Sequence, residues 1–178
     1  VQANGYNALA GDATFANGLV GKLQFDGEAN VSFFGAIGKG VVADDTAAIL
    51  SALTRTLFIT LPEGSFLVDE VLLIRGRNNN LFEYFGVRGA GQAATKIYPQ
   101  DNSKNCFEIE KSATNSVASK WMSGQISDLS VIYVSADKAD DCTAFKYTSC
   151  FNVRFFNLSV QGPTKFFAGY GNGQIFHS

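Results

Sequence analysis

The 178-residue chain has one histidine, one tryptophan, one methionine, three prolines and three cysteines. Each shortage excludes something. His177 has no Ser or Asp partner in any known triad order, so it is assigned no nucleophilic chemistry. Cys106, Cys142 and Cys150 are odd in number and form no CxxC pair, which indicates neither a zinc site nor a complete disulfide framework. Packed, reduced thiols are the expectation, with a Cys142–Cys150 bridge as the alternative that only a Cα separation can decide. No metal and no cofactor are expected. Apolar runs such as 71–74 fall far short of the roughly 20 residues that cross a bilayer, so no membrane partner is expected. The 14 Lys and Arg are scattered and the formal net charge is −2, which supplies no basic surface for a phosphate backbone. Nucleic acid is therefore not an expected partner. The opening Val1-Gln2-Ala3-Asn4-Gly5 has neither the basic flank nor the apolar stretch of a signal peptide, and a start on Val1 is expected to reflect trimming.

What is present suits a packed domain. Hydrophobic residues make up 46% and aromatics 13%, including 16 Phe, enough to fill one core. Residues 1–28 are rich in Gly, Asn and Ala with little periodicity and read as a lead-in or neck. Residues 29–178 read as one folded unit. Within it, Asp44-Asp45-Thr46 precede the one segment with helical spacing, where Ala48, Ile49, Ala52 and Leu53 share a face. Asp44 or Asp45 can accept from the first free amides, and both charges suit the positive end of the helix dipole.

Beyond that helix come short β-rich runs at 57–61, 65–74, 81–87, 96–98, 106–110 and 125–134, then 144–148, 152–161 and 174–176. Alternation of apolar and polar residues, as in Phe107-Glu108-Ile109, marks strands with one buried face. An internal repeat links them. Ile126-Ser127-Asp128-Leu129-Ser130-Val131 aligns with Phe155-Phe156-Asn157-Leu158-Ser159-Val160, and upstream of each lies a similar strand, Phe107-Glu108-Ile109 and Phe145-Lys146-Tyr147. Strands recurring in the same order over roughly 20 to 40 residues predict a solenoid, each coil burying its apolar face on the next. A β-sandwich would carry hairpin turns, but Asn4-Gly5, Asn17-Gly18 and Asn172-Gly173 all lie outside the main strand block.

The run from Ala29 to Ile49, with Phe34-Gly35-Ala36, Gly38-Lys39-Gly40 and Asp44-Asp45-Thr46 at its centre, resembles the opening signature of the pectate-lyase-like superfamily in the version common in phage tailspikes and capsule depolymerases. Leu61-Pro62-Glu63-Gly64-Ser65-Phe66 resembles the family's next element, and Gly89-Ala90-Gly91 before Thr95-Lys96-Ile97 its following turn. Lys39 stands where the family carries Asp, and Phe66 where it carries Tyr. The resemblance implies an all-β fold, a right-handed parallel β-helix with a short N-terminal capping helix built on Asp44, Asp45 and Thr46. It also implies a homotrimer on a virion tail, with other tail proteins and a bacterial surface polysaccharide, capsule or O-antigen, as partners outside the host cell. The parent protein would be a polysaccharide depolymerase, hydrolase or lyase. A non-catalytic structural or receptor-binding adhesin is the alternative, and a cellular pectin-type lyase a third reading that the scarcity of grouped Asp disfavours.

Candidate site residues follow from residue type and position. Asp128, Asp140 and Asp141 are the catalytic candidates, each with a competing role: a turn or ladder for Asp128, a solvated loop for Asp140 and Asp141. Glu108 alternates with Phe107 and Ile109, as does Glu110, and should face outward where a glycan could bind. Tyr98, Tyr133 and Tyr170 are the candidates for stacking on a sugar ring. The C-terminal Gln174-Ile175-Phe176 reads as the middle of a coil, so the chain is expected to be the N-terminal part of a longer protein whose catalytic carboxylates lie beyond Ser178.

Overall fold

The computed structural model describes residues 13–14, 20–21, 27–76, 82–110, 121–133, 142–148, 150–163, 165–170 and 175–177. In chain order the strands are β1 (Ala13–Thr14), β2 (Val20–Gly21), β3 (Ala29–Asn30), β4 (Lys39–Asp44), β5 (Phe58–Thr60), β6 (Gly64–Val68), β7 (Leu72–Arg75) and β8 (Phe82–Arg88). They continue as β9 (Thr95–Pro99), β10 (Phe107–Glu110), β11 (Trp121–Ile132), β12 (Thr143–Thr148), β13 (Cys150–Gln161), β14 (Lys165–Tyr170) and β15 (Ile175–His177). A 3-10 turn at Val31–Phe34 and one α-helix, α1 (Thr46–Arg55), complete the described elements. The small β1–β2 pair is antiparallel; every other pairing is parallel.

Those parallel strands form three ladders. In the first, β3, β5, β8, the front of β11, the front of β13 and β15 stack in order, so that Ala29, Ile59, Val87, Ile126 and Phe155 form one column of buried side chains. In the second, β4, β6, β9 and the rear halves of β11 and β13 stack, with Phe66, Ile97 and Val131 pointing inward. The third is β7, β10, β12 and β14, whose inner column is Leu72, Phe107, Phe145 and Phe167. Each column runs through the ladder, because a parallel register places equivalent positions of neighbouring strands directly over one another. The two recurrences visible in the sequence are therefore spatial neighbours: Ile126 pairs with Phe155, Val131 with Val160, and Phe107 with Phe145.

The first two ladders are one curled sheet, because β11 and β13 run continuously from one into the other. Each bends at a residue in the left-handed backbone region, Asp128 (φ 60°) and Asn157 (φ 49°). Asp and Asn are the side chains that tolerate this region best, since a short polar group bonds locally where a branched one would clash. In the preceding coil Gly89 occupies the corner. A Cβ there would lie 2.0 Å from the Asp128 carbonyl oxygen, so only glycine allows the next strand to come that close. The result is mostly β, with one helix and parallel strands in a curled sheet, a layout consistent with a parallel β-helix.

The aromatics hold the third ladder. Phe107 and Phe145 are stacked at 5.6 Å with an 11° interplanar angle, and Phe145 meets Phe167 at 5.6 Å and Phe155 at 5.3 Å. Cys106, Cys142 and Cys150 are free and buried. Burial pushes the Cys106 thiol well above its ordinary range and the Cys150 thiol up to about 12.

Two strand expectations are corrected. The run 65–74 is two strands, not one, because the chain turns at Asp69 and Glu70, where the Asp69 amide donates to Thr46 Oγ1 (2.9 Å). β4 and β14 carry no alternation signal and lie outside the predicted runs. β4 pairs with β6 only at Lys39 and Asp44 with a register shift between them, so it never presents two regular faces.

Helix α1 packs on the first parallel strands of the chain. Ile49, Ala52 and Leu53 are buried against the 3-10 turn, β5 and β7. Asp44 Oδ1 accepts from the Thr46 amide (3.0 Å) and the Thr46 hydroxyl (2.5 Å). Asp45 occupies the N-cap position, yet it makes no cap bond. Its buried carboxylate turns the other way and accepts from the amides of Ile37 (2.6 Å) and Gly38 (3.2 Å). The expectation that either aspartate could cap the helix thus divides: Asp44 serves the helix, and Asp45 ties the preceding loop to it, because loop amides would otherwise be left without partners.

Candidate functional site

Polar side chains that a polymer could reach lie on the outer faces of the ladders, and the faces differ. On the third ladder, outward positions form the columns Leu73, Glu108, Lys146 and Arg75, Glu110, Thr148. Glu108 accepts from Asn105 Nδ2 (2.6 Å) and pairs with Lys146 Nζ at 3.3 Å, while Glu110 pairs with Arg75. Glu70, Val71 and Lys104 close this face into an open groove of about 340 Å³. Its charges compensate one another across adjacent coils, as opposite charges in register do.

Asp128 sits at the corner between ladders, where Asn157 Nδ2 donates to its Oδ1 (2.5 Å) and Gln92 Nε2 donates to Asn157 Oδ1 (2.9 Å). Gln92, Asn157 and Asp128 are joined there in one polar chain. The carboxylate faces no second carboxylate in that chain, and glycosidic cleavage uses two. Asp140 and Asp141 lie outside the described residues, as does the side chain of Tyr170. Tyr133 is 5% exposed, and its hydroxyl lies 3.2 Å from the carbonyl oxygens of both Lys104 and Thr143, so its ring is core and is not available to stack on a sugar. Burial pushes its phenol well above the ordinary value. Residue type alone suggested a sugar platform; Tyr133 follows Leu129 and Val131 at two-residue spacing and continues their buried face.

Tyr98 is placed differently. With Leu67, Ser65, Lys39 and the glycines 38, 40 and 64 it lines an open groove of about 710 Å³ on the outer face of the second ladder. The surface is mainly apolar, and its floor is glycine backbone. Lys96 stands beside Ser65 in register on the next strand. Sequence reasoning singled out Tyr98 and Lys39 separately but not Lys96, and nothing in local pattern could join them, since their proximity depends on the pairing of β4, β6 and β9. Among the described residues no group of His, Cys, Asp and Glu is arranged to hold a metal ion, and no helix is long and apolar enough to cross a membrane.

No protein-family model and no curated protein matches the chain. Among solved structures it is similar to ORF18 of Geobacillus virus E2, with a TM-score of 0.57 and 24% identity over 74% of this chain and 25% of that one. A second similarity, to the A-module of the mannuronan C-5 epimerase AlgE4 of Azotobacter vinelandii, has a TM-score of 0.42 and 22% identity over 75% of this chain and 43% of that one. The chain thus spans a quarter of the phage protein and less than half of the epimerase module. The first likeness bears on the fold.

Proposed function

We propose that the chain is the N-terminal part of a phage virion protein, a right-handed parallel β-helix that recognises a bacterial surface polysaccharide, with residues 1–28 as neck and 29–178 as cap and first coils. The observation that carries this reading is the set of three parallel ladders in register, whose outer faces offer long open surfaces to a polymer. Similarity in fold to a phage open reading frame supports a virion setting. The resemblance of residues 29–49 to the tailspike signature supports the tail, a homotrimer and contact with other tail proteins. Each coil buries its apolar columns only by stacking on the next, which makes such a solenoid rigid along its axis and able to hold spaced glycan contacts without reorganising.

Cutting of the polysaccharide belongs, on this reading, to the longer protein. The outward carboxylates of Glu108 and Glu110 are each held by a cation, and Asp128 is held by Asn157. The test is an assay for reducing ends and unsaturated products on host capsule or O-antigen, run with this chain and with a form extended past Ser178. Product from the extended form alone, with binding by both, is the expected result. Cleavage by this chain alone would overturn the assignment of cutting to the longer protein. Failure of the extended form to bind any host surface polysaccharide would overturn the function itself.

A further inference from the structure

Lys39 and Lys96, like Arg154 on β13, differ from other described cations of the parallel strands in meeting no carboxylate. Arg75, Arg88, Lys104 and Lys146 each meet a carboxylate: Glu110, Glu28, Asp101 and Glu108. Lys39 and Lys96 have no ion pair or hydrogen bond among the described residues. They are also placed together. Lys39 pairs in register with Ser65, and Ser65 with Lys96, so the two lysines flank one serine on a shared face. Their backbones are about 10 Å apart, two strand spacings. Among the described residues the groove beside them is lined by Tyr98 and Leu67 and by no carboxylate. Asp44, in register with Leu67, has its carboxylate turned onto Thr46.

We infer that this face is a binding site for acidic sugar units, a uronate-type ring lying on Tyr98 with its carboxylate drawn to Lys39 and Lys96. The inference rests on the polysaccharide reading and names the class of sugar and the place. A pyranose has an apolar C–H face and a rim of hydroxyls. The half-buried Tyr98 ring and Leu67 suit the first, and the Ser65 hydroxyl and the lysine ammonium groups suit the second. Gly38 and Gly40 are required by their own backbone, at φ 65° and 66°, but a consequence is a floor with no side chains to keep a flat ring from the sheet. Two like charges carried on backbones about 10 Å apart, roughly one screening length, both raise the local potential that a carboxylate between them would feel. The mixed-charge face of the third ladder offers no such excess, because its carboxylates already occupy its cations.

The experiment is titration of the 178-residue chain with polygalacturonate and hyaluronate, against dextran and carboxyl-reduced polygalacturonate as uncharged controls. The expected result is binding of an acidic polymer at least about tenfold tighter than its uncharged counterpart, the advantage shrinking as salt is raised. Lys39→Gln with Lys96→Gln should remove most of that advantage, about tenfold at low salt, while leaving the fold intact because neither lysine is buried. Tyr98→Leu keeps apolar volume and should weaken charged and uncharged polymers alike, about fivefold. Equal binding of charged and uncharged polymers, unchanged in the lysine double variant, would overturn the site and leave the polysaccharide reading standing. If the chain binds none of the four, the site is overturned, and the polysaccharide reading is judged separately by host polysaccharide binding to the extended form.

Discussion

In residues 30–69 a few directed polar bonds tie the helix to its flanking loops, whereas in the described residues from 72 to 170 side chains stack on equivalents of themselves. The first region depends on Asp45 reaching back to two loop amides, Asp44 and Thr46 closing the start of α1, and Thr46 accepting from Asp69. The second depends on columns such as Leu72, Phe107, Phe145 and Phe167, where the inner members Phe107 and Phe145 are each buried between the residue above and the one below. The difference teaches how an open-ended stack is begun. Repetition can extend a column but cannot start one, so the first coil needs bonds that are specific to it.

The largest effect should come from breaking a column in the middle. Phe145 is fully buried and touches Phe107, Phe155, Phe166 and Phe167. Phe145→Ala should cost about 3–5 kcal/mol, the range for a core phenylalanine whose cavity cannot collapse. Urea unfolding followed by circular dichroism measures it, and a loss below about 1 kcal/mol would mean that the column is not what holds the coils.

An intermediate effect is expected at the other end. Asp45→Ala strips the amides of Ile37 and Gly38 of their acceptor and leaves a small void under the loop. About 2–3 kcal/mol should be lost, since each orphaned donor costs on the order of 1–3 kcal/mol and Ile37 is exposed enough for water to replace part of it. Asp45→Asn keeps one acceptor oxygen and should fall between the variant and the parent. Equal unfolding curves for Asp45→Ala and the parent would show that the first coil is held by apolar contact instead.

The same contrast decides what could be read from the sequence. Stacked regions announce themselves, because a parallel register copies residue types from coil to coil, and the alignment of Ile126 to Val131 on Phe155 to Val160 is the register itself. The helix was legible from the spacing of Ile49, Ala52 and Leu53. β4 was not, because Gly38 and Gly40 in the left-handed region break its alternation. Nor was β14, where Phe166 and Phe167 are adjacent and one is exposed while the other packs inward. In the candidate site, Tyr98 could be chosen by residue type, but the meeting of Lys39, Ser65 and Lys96 spans three strands and has no local signature. Tyr133 shows the converse failure: residue type suggested a sugar platform, and its burial makes it core.

The smallest effect, and the one that separates the two regions without a mutation, is the response to alkaline pH. Residues 30–69 contain no Cys and no Tyr. The coils bury Cys106 and Cys150, whose thiols desolvation pushes up from an ordinary value of 9.0, to about 12 for Cys150. A thiol whose folded value is raised binds its proton more tightly in the native state than in the unfolded chain. Its contribution is therefore fully present below pH 9 and is lost progressively as pH rises from there towards the folded value. Stability should be flat in this respect up to about pH 9 and then fall, by on the order of 1 kcal/mol per buried thiol near pH 10. The half-buried phenol of Tyr147, raised by burial and then by Cys150, adds to the fall in the same direction. Because the titrating groups all lie in the stacked region, Asp45→Ala should shift the whole curve of stability against pH downward without changing its slope between pH 8 and 10. Urea midpoints for the parent and Asp45→Ala across that range measure this, with Cys150→Ala expected to flatten the slope by about half its thiol share. Parallel curves would mean that the two regions unfold in one transition to which each contributes additively; converging curves would mean that loss of the Asp45 bonds changes the stacked region itself or lets it unfold separately.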